Sequence, residues 1–204
     1  LRKTGMTGAD GYLRLGGLLL DHVYLLKETT PLNGYTIDPQ YKDGRYFVFE
    51  GQSGHIFDTS KIQVFGKNVY SYNFMINNDR IPAAAEIKVS KKVNGANYTA
   101  DEDFKFTITG ENDAPMPENN TVTVKNGKEA SFGKIAYTKE GTYRYVIKET
   151  KYSTPGMTYD KAEHYVAVKV VKDETSGELT ATVTYDDGQS KLEVVNEYDG
   201  TTSV

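Results

Sequence analysis

Short runs of alternating apolar and polar residues, separated by Asn-Gly and Asp-Gly pairs, extend through most of the 204-residue chain. Such pairs favour the type I′ turn of a β-hairpin, because both central residues of that turn need positive φ. No run sustains the 3.6-residue apolar period of a long helix. Many short strands with regular turns predict an all-β sandwich or barrel. The turn pairs include Asp10-Gly11, Asn33-Gly34, Asp43-Gly44, Asn94-Gly95, Asn126-Gly127 and Asp187-Gly188.

A domain boundary is predicted at residues 80–85, where a proline and small residues separate two strand-rich blocks. We expect two tandem Ig-like β-sandwich domains, covering residues 1–83 and 84–204. The second block is long enough for a complete sandwich, whereas the first is short for one.

Composition excludes several classes of function. The net charge is −4 with no basic block, so nucleic-acid binding has no electrostatic basis. No apolar stretch reaches membrane-spanning length, and no signal peptide is present, so we expect a mature segment or a fragment with no membrane insertion. Cysteine is absent, which excludes disulfides and thiolate chemistry. His22, His55 and His164 are scattered, so we expect no metal site and no cofactor.

Three polar residues occur where strand alternation predicts an inward-facing side chain. Each continues the apolar phase of its strand: Lys91 in residues 87–93, Glu149 in 143–149 and Asn196 in 192–198. They belong to the first strand, a middle strand and the last strand of the second domain. An isolated buried charge is costly, so these groups should be partnered or neutral.

These three residue types have the chemistry needed for a Lys–Asn isopeptide bond. Burial favours the free amine of a lysine, which is a nucleophile, and the protonated acid of a glutamate, which can relay protons. The asparagine carboxamide is then an acyl acceptor with ammonia as leaving group. Held in contact, such groups reach effective molarities on the order of 10⁵ M or more. The alternative from the residues alone is an ordinary Lys–Glu ion pair near strand ends.

The second domain resembles the isopeptide-linkage domain of Gram-positive pilins, such as streptococcal shaft pilins. The resemblance rests on "IKVSKKVNG", "FKFTITG", "GTYRYVIKET" and "LEVVNEY", in that order. It implies a bond between Lys91 of the first strand and Asn196 of the last, promoted by Glu149. Lys88 and Lys92 lie out of phase and fit this role poorly.

Residues 1–83 resemble the Cna-type B domain, through "TGADGYLRLGGL" and "YLLKETTPLNGY". The resemblance implies a second bond, formed by Lys3 in "LRKTG" and promoted by Glu28, to an asparagine of the closing strand in "FMINNDRIP". We choose Asn78, because it continues the apolar phase of residues 72, 74 and 76 and the following "DRIP" fits the family's exit from its last strand. Asn77 remains an alternative, because a β-bulge reverses strand parity. The family has a further strand between the lysine strand and the "ADG" turn. That strand has no counterpart here, so either a piece is missing or the domain is incomplete.

The two resemblances imply a structural stalk module of a pilin or wall-anchored adhesin on the bacterial cell surface. The expected partners are other pilin subunits or neighbouring domains of the same surface protein. Each bond forms once, so the chain is not expected to be a turnover enzyme. The alternative is an adhesin domain that binds host matrix or cell-surface molecules through loops, with residues 111–120 as the candidate contact loop.

Overall fold

The computed structural model describes residues 2–51, 54–150 and 154–200. The chain divides into two compact units, Leu1–Asp79 and Arg80–Val204. We call these the first and second unit. The division falls within a few residues of the predicted boundary after residue 83. The chain ends included in the two predicted domains, residue 1 and residues 201–204, lie outside the described residues.

The first unit is built on one small mixed sheet. Its elements are β1 (Tyr24–Leu26), α1 (Pro39–Lys42), β2 (Arg45–Phe49) and β3 (Ile62–Phe65). β1 pairs with β2 antiparallel, and β2 pairs with β3 parallel. Phe47, Phe49 and Phe65 form the buried centre of this sheet.

The strands expected to open and close the first unit, around Lys3 and Asn78, are not formed in the described residues. A strand needs a neighbouring ladder to satisfy its backbone N–H and C=O groups. The described part of this unit supplies three strands in one sheet, and neither segment is paired with it.

The second unit is a sandwich of two sheets. One sheet has the order β11-β10-β8-β5-β6, and the other has the order β7-β4-β12-β9. A short 3-10 helix, Asp186–Gly188, precedes the last strand. The strands are β4 (Ala83–Asn94), β5 (Asp103–Gly110), β6 (Thr121–Lys125), β7 (Lys128–Tyr137), β8 (Gly141–Thr150), β9 (Met157–Thr158), β10 (His164–Lys172), β11 (Leu179–Tyr185) and β12 (Glu193–Tyr198).

The inner faces of the two sheets form a single core. Successive residues of a strand point to opposite faces, so alternate side chains become buried. In β4 every second residue from Ala83 to Val93 is buried, and Lys91 falls in that series. Aromatic and branched side chains of the facing sheet complete the core, including Phe104, Phe106, Ile108, Tyr145, Ile147, Val166, Val168 and Val170.

The first and last strands of the second unit are direct neighbours. β12 pairs with β4 in parallel, with Val194 opposite Lys91 and Asn196 opposite Val93. The turn after β4 needs glycine at position 95, where φ is 141°, and a Cβ there would collide with the carbonyl oxygen of Tyr198. Close approach of this turn to β12 therefore helps to hold the two strands side by side.

The prediction of an all-β fold is confirmed, since nearly all regular structure is strand. Within the described ranges, no helix has the length and apolar character needed to cross a membrane.

Candidate functional site

Three strands bring Lys91, Glu149 and Asn196 together in the core of the second unit. Lys91 projects from β4 and Asn196 from the adjacent β12, while Glu149 projects from β8 of the facing sheet. The Glu149 carboxylate lies between the other two side chains. Lys91 Nζ is 3.0 Å from Glu149 Oε2, and Asn196 Nδ2 donates a 2.9 Å hydrogen bond to Glu149 Oε1.

All three side chains are shielded from water. Lys91 is 1% exposed and Asn196 is fully buried, and the Glu149 side chain is 1% exposed. Aromatic rings surround the amine, with Lys91 Nζ 4.9 Å from the centre of the Phe104 ring and 5.9 Å from that of Phe106. The site is therefore a small polar cluster inside an apolar core, as the strand parity predicted.

Burial shifts both ionisable groups towards their neutral forms. Desolvation lowers the pKa of Lys91, and the neighbouring Glu149 carboxylate opposes this fall. Desolvation also raises the pKa of Glu149, against the hydrogen bond from Asn196 and the charge of Lys91. Desolvation therefore favours the neutral pair, a free amine beside a protonated acid, and lowers the free energy needed to move a proton from the ammonium to the carboxylate.

A fourth group, which sequence reasoning missed, contacts the Asn196 side chain. The main-chain N–H of Asp160 donates a 2.9 Å hydrogen bond to Asn196 Oδ1. The Asp160 carboxylate accepts a hydrogen bond from the N–H of Ala162 and contacts the ring of His164. Both polar atoms of the Asn196 carboxamide are therefore bound, the nitrogen by Glu149 and the oxygen by Asp160.

The first unit contains a related contact between Glu28 and Asn78. Asn78 Nδ2 donates a 2.7 Å hydrogen bond to Glu28 Oε1. The main-chain N–H of Asp38 contacts both residues, at 2.9 Å from Asn78 Oδ1 and 3.2 Å from Glu28 Oε2. The side chain of Asn77 is not in this contact, although its main-chain N–H donates to Asp38 Oδ2. Of the two candidate asparagines, Asn78 is the one beside the glutamate.

Lys3 is not brought to that contact. The residue is exposed, and its Nζ donates a hydrogen bond to the main-chain carbonyl of Gly16. The first unit therefore joins two of its three predicted site residues, whereas the second unit joins all three.

The neighbouring lysines are placed as parity predicted. Lys88 and Lys92 face solvent, and Lys88 forms an exposed ion pair with Glu129. Among the histidines, His164 lies between Asp160 and Asp186, with both ring nitrogens 3.0 Å from a carboxylate oxygen. Across the described ranges, no group of three or more His, Asp or Glu side chains is arranged to hold a metal ion.

The loop at residues 111–120 belongs to the second unit, and part of it packs against the core although most of its residues are exposed. Ala114 and Pro117 are buried, and the carbonyl of Pro115 accepts a 2.7 Å hydrogen bond from the Tyr145 hydroxyl. Part of this loop thus has a structural role in closing one end of the core.

Comparison with known proteins finds one matching family. Residues 87–199, more than half of the chain, match the family described as FctA, Spy0128-like isopeptide containing domain. No curated protein matches the chain. Among solved structures, the major pilin of Streptococcus pyogenes matches with 17% identity and a TM-score of 0.39, over 57% of this chain and 50% of that chain. The pilus adhesin SpaC of Lactobacillus rhamnosus GG matches with 19% identity and a TM-score of 0.39, over 85% and 20%.

The chain spans about half the length of the major pilin structures that it matches. At these identities and TM-scores, nothing about the function of this chain follows from the solved structures. The family match includes Lys91, Glu149 and Asn196. Because it covers more than half of the chain, the chain belongs to the FctA family of Spy0128-like isopeptide containing domains.

Proposed function

We propose that this chain is a structural module of a Gram-positive surface pilus or wall-anchored adhesin, stabilised by an isopeptide bond between Lys91 and Asn196. One observation carries the proposal: a single buried carboxylate, that of Glu149, contacts the amine of Lys91 and the carboxamide nitrogen of Asn196. An acid in that position can relay the proton that the reaction must move.

The proposed reaction begins with proton transfer from the Lys91 ammonium to the Glu149 carboxylate. The free amine attacks Cγ of Asn196 and forms the new C–N bond. Glu149 delivers a proton to Nδ2 of Asn196 as the old C–N bond breaks, and accepts one from the attacking nitrogen. The products are a secondary amide and one ammonia. Each site reacts once, so the process is self-modification without turnover.

The strand arrangement supports a mechanical role for the proposed bond. Because β4 and β12 are parallel neighbours, a chain pulled at residues 80 and 200 would shear one strand against the other. A Lys91–Asn196 bond crosses this strand pair, so the load would pass through covalent bonds instead of ladder hydrogen bonds. Such a module suits a stalk that bears force, with other pilin subunits or neighbouring domains as partners and the cell surface as location.

Intact-mass spectrometry of the purified chain tests the proposal. The expected mass is lower than the sequence mass by one ammonia for the second unit, and a protease digest should yield a branched peptide that joins Lys91 to Asn196. Recovery of the two linear peptides as the main species would refute the proposed bond.

The bond between Lys3 and Asn78 remains a second, separate proposal. It is supported by the contact between Glu28 and Asn78, and it requires the Lys3 amine to leave the Gly16 carbonyl. A chain with both bonds lacks two ammonias.

A further inference from the structure

The two units share a backbone arrangement around the asparagine. In each, a main-chain N–H of an aspartate donates a 2.9 Å hydrogen bond to the side-chain oxygen of the asparagine that contacts the glutamate. The donors are Asp160 for Asn196 and Asp38 for Asn78. In both units the glutamate accepts a hydrogen bond from the carboxamide nitrogen, and in the first unit the Asp38 N–H also lies 3.2 Å from Glu28 Oε2.

A short sequence repeat produces this arrangement. Both units contain Lys-Glu-Thr followed by Gly-x-Thr-x-Asp, ending at Asp38 in the first unit and Asp160 in the second. The glycines, Gly34 and Gly156, both have a φ of 78°, which only glycine adopts readily. Each occupies the third position of a turn closed by a main-chain hydrogen bond. The Tyr35 N–H donates to the Leu32 carbonyl at 3.0 Å, and the Met157 N–H donates to the Thr154 carbonyl at 3.1 Å.

The threonine of the repeat is bound to the residue that follows the asparagine. Thr158 pairs with Glu197 across the β9 and β12 ladder, and Thr36 N donates a 2.8 Å hydrogen bond to the carbonyl of Asp79. Two residues later, the aspartate N–H points at the carboxamide oxygen. The repeat therefore sets the aspartate amide in register with the asparagine.

The aspartate side chain closes a second turn, which follows the aspartate. Asp160 Oδ1 accepts a 2.7 Å hydrogen bond from the N–H of Ala162, and Asp38 Oδ1 accepts a 2.8 Å bond from the N–H of Gln40. Aspartate side chains commonly close a turn by accepting a hydrogen bond from the main-chain N–H two residues later. It leaves the aspartate's own N–H free to donate to the asparagine.

We infer that the main-chain N–H of Asp160 is a catalytic group of the isopeptide reaction, stabilising the negative charge that develops on Asn196 Oδ1. The inference rests on the proposed function of this site. When the amine of Lys91 adds to Cγ, the C=O double bond becomes a single bond and its electron pair moves to Oδ1. The charge returns to form the carbonyl as ammonia leaves. A fixed donor in a buried site stabilises this intermediate without reorganising solvent. Asp38 has the same role wherever Asn78 reacts.

An amide-to-ester substitution at residue 160 tests this role. Cell-free translation with the α-hydroxy analogue of aspartate removes the N–H and keeps the side chain. After synthesis is stopped, intact mass follows the loss of ammonia over time. The matched control carries the ester at residue 162, which removes the neighbouring N–H of the same turn but no contact with Asn196.

The ester at residue 160 should slow ammonia loss by about 10²-fold or more, the usual cost of losing such a donor, and the ester at residue 162 by less than about tenfold. Equal rates for the two esters, or an unchanged rate at residue 160, overturn the inference while the proposed bond stands. If the unsubstituted chain never loses the second unit's ammonia, the proposed function itself fails.

A pair of ordinary variants decides the matter if the ester chain does not fold. Asp160→Asn keeps the oxygen that accepts from Ala162, so the N–H stays aimed at Asn196, whereas Asp160→Ala loses this restraint. Faster bond formation in Asp160→Asn than in Asp160→Ala supports the inference. Equal rates in the two variants overturn it.

Discussion

Lys91 on β4 and Asn196 on β12 project from the same face of two neighbouring parallel strands, two residues apart in register. The offset follows from the pairing of Lys91 with Val194 and of Val93 with Asn196. Because strand side chains alternate faces, an offset of two keeps both side chains on the inner face. Glu149 reaches them from the opposite sheet and contacts both.

Replacing Lys91 with methionine should prevent loss of the second unit's ammonia. The long apolar side chain fills the same space but has no nucleophile. Without the cross-link, which closes a loop of roughly one hundred residues, the unit should be less stable by about 2–5 kcal/mol. Urea unfolding and intact mass measure the two effects. Lys92→Met, at an exposed position of the same strand, is the control and should retain both the bond and the stability.

Glu149→Gln should give a folded second unit without the bond. Glutamine can still hydrogen bond to Asn196, but its amide cannot shuttle the proton. The variant should keep the unreacted mass and be cleaved faster by protease than the unsubstituted chain. Glu193→Gln, at an exposed position of β12, should react normally. Ammonia loss at the normal rate in Glu149→Gln would remove the carboxylate from the mechanism.

The Lys91→Met variant should lose stability as pH rises. Burial raises the pKa of Glu149, and removal of the Lys91 charge takes away an effect that lowers it. The folded state then binds more protons than the unfolded state, whose glutamate pKa is about 4.3. The stabilising contribution of Glu149 should therefore be fully present below that value and be lost as pH rises through the folded-state pKa. Urea midpoints from roughly pH 4 to pH 8 would show this slope, and the double variant Lys91→Met/Glu149→Gln should lack it.

Phe104→Ala should reduce the bonded fraction by more than a similar loss of stability does elsewhere in the core. The ring lies 4.9 Å from Lys91 Nζ, and its loss would open space for water beside the amine and favour the ammonium form. Phe132→Ala removes an equally buried ring of the same core. Both should cost about 3–5 kcal/mol of stability. The bonded fraction, read from intact mass, should fall further in Phe104→Ala, and equal fractions would contradict this account.

A Lys3–Asn78 bond in the first unit predicts a chain that lacks two ammonias. Lys3→Ala should then restore the mass of one ammonia, and so should Asn78→Ala. Asn77→Ala should leave the mass deficit unchanged, because Asn77 does not contact Glu28 through its side chain. A wild-type deficit of a single ammonia, lost on Lys91→Met, would refute this second bond.

The sequence by itself determined the all-β fold class and the inward direction of Lys91, Glu149 and Asn196. Both follow from local rules, since turn residues mark hairpins and strand alternation assigns each side chain to a face. The same rules separated Lys91 from Lys88 and Lys92. Parity could not show that the three inward residues meet, because that depends on which strands become neighbours.

Only the tertiary structure decided the rest of the site. The parallel pairing of β4 with β12 joins residues about one hundred positions apart, and no local pattern encodes such a pairing. The same holds for the Asp160 amide, a main-chain donor that carries no side-chain signature of its role. In the first unit, the family resemblance implied an opening strand that carries Lys3. No paired strand forms there in the described residues, and the Lys3 amine binds the Gly16 carbonyl instead.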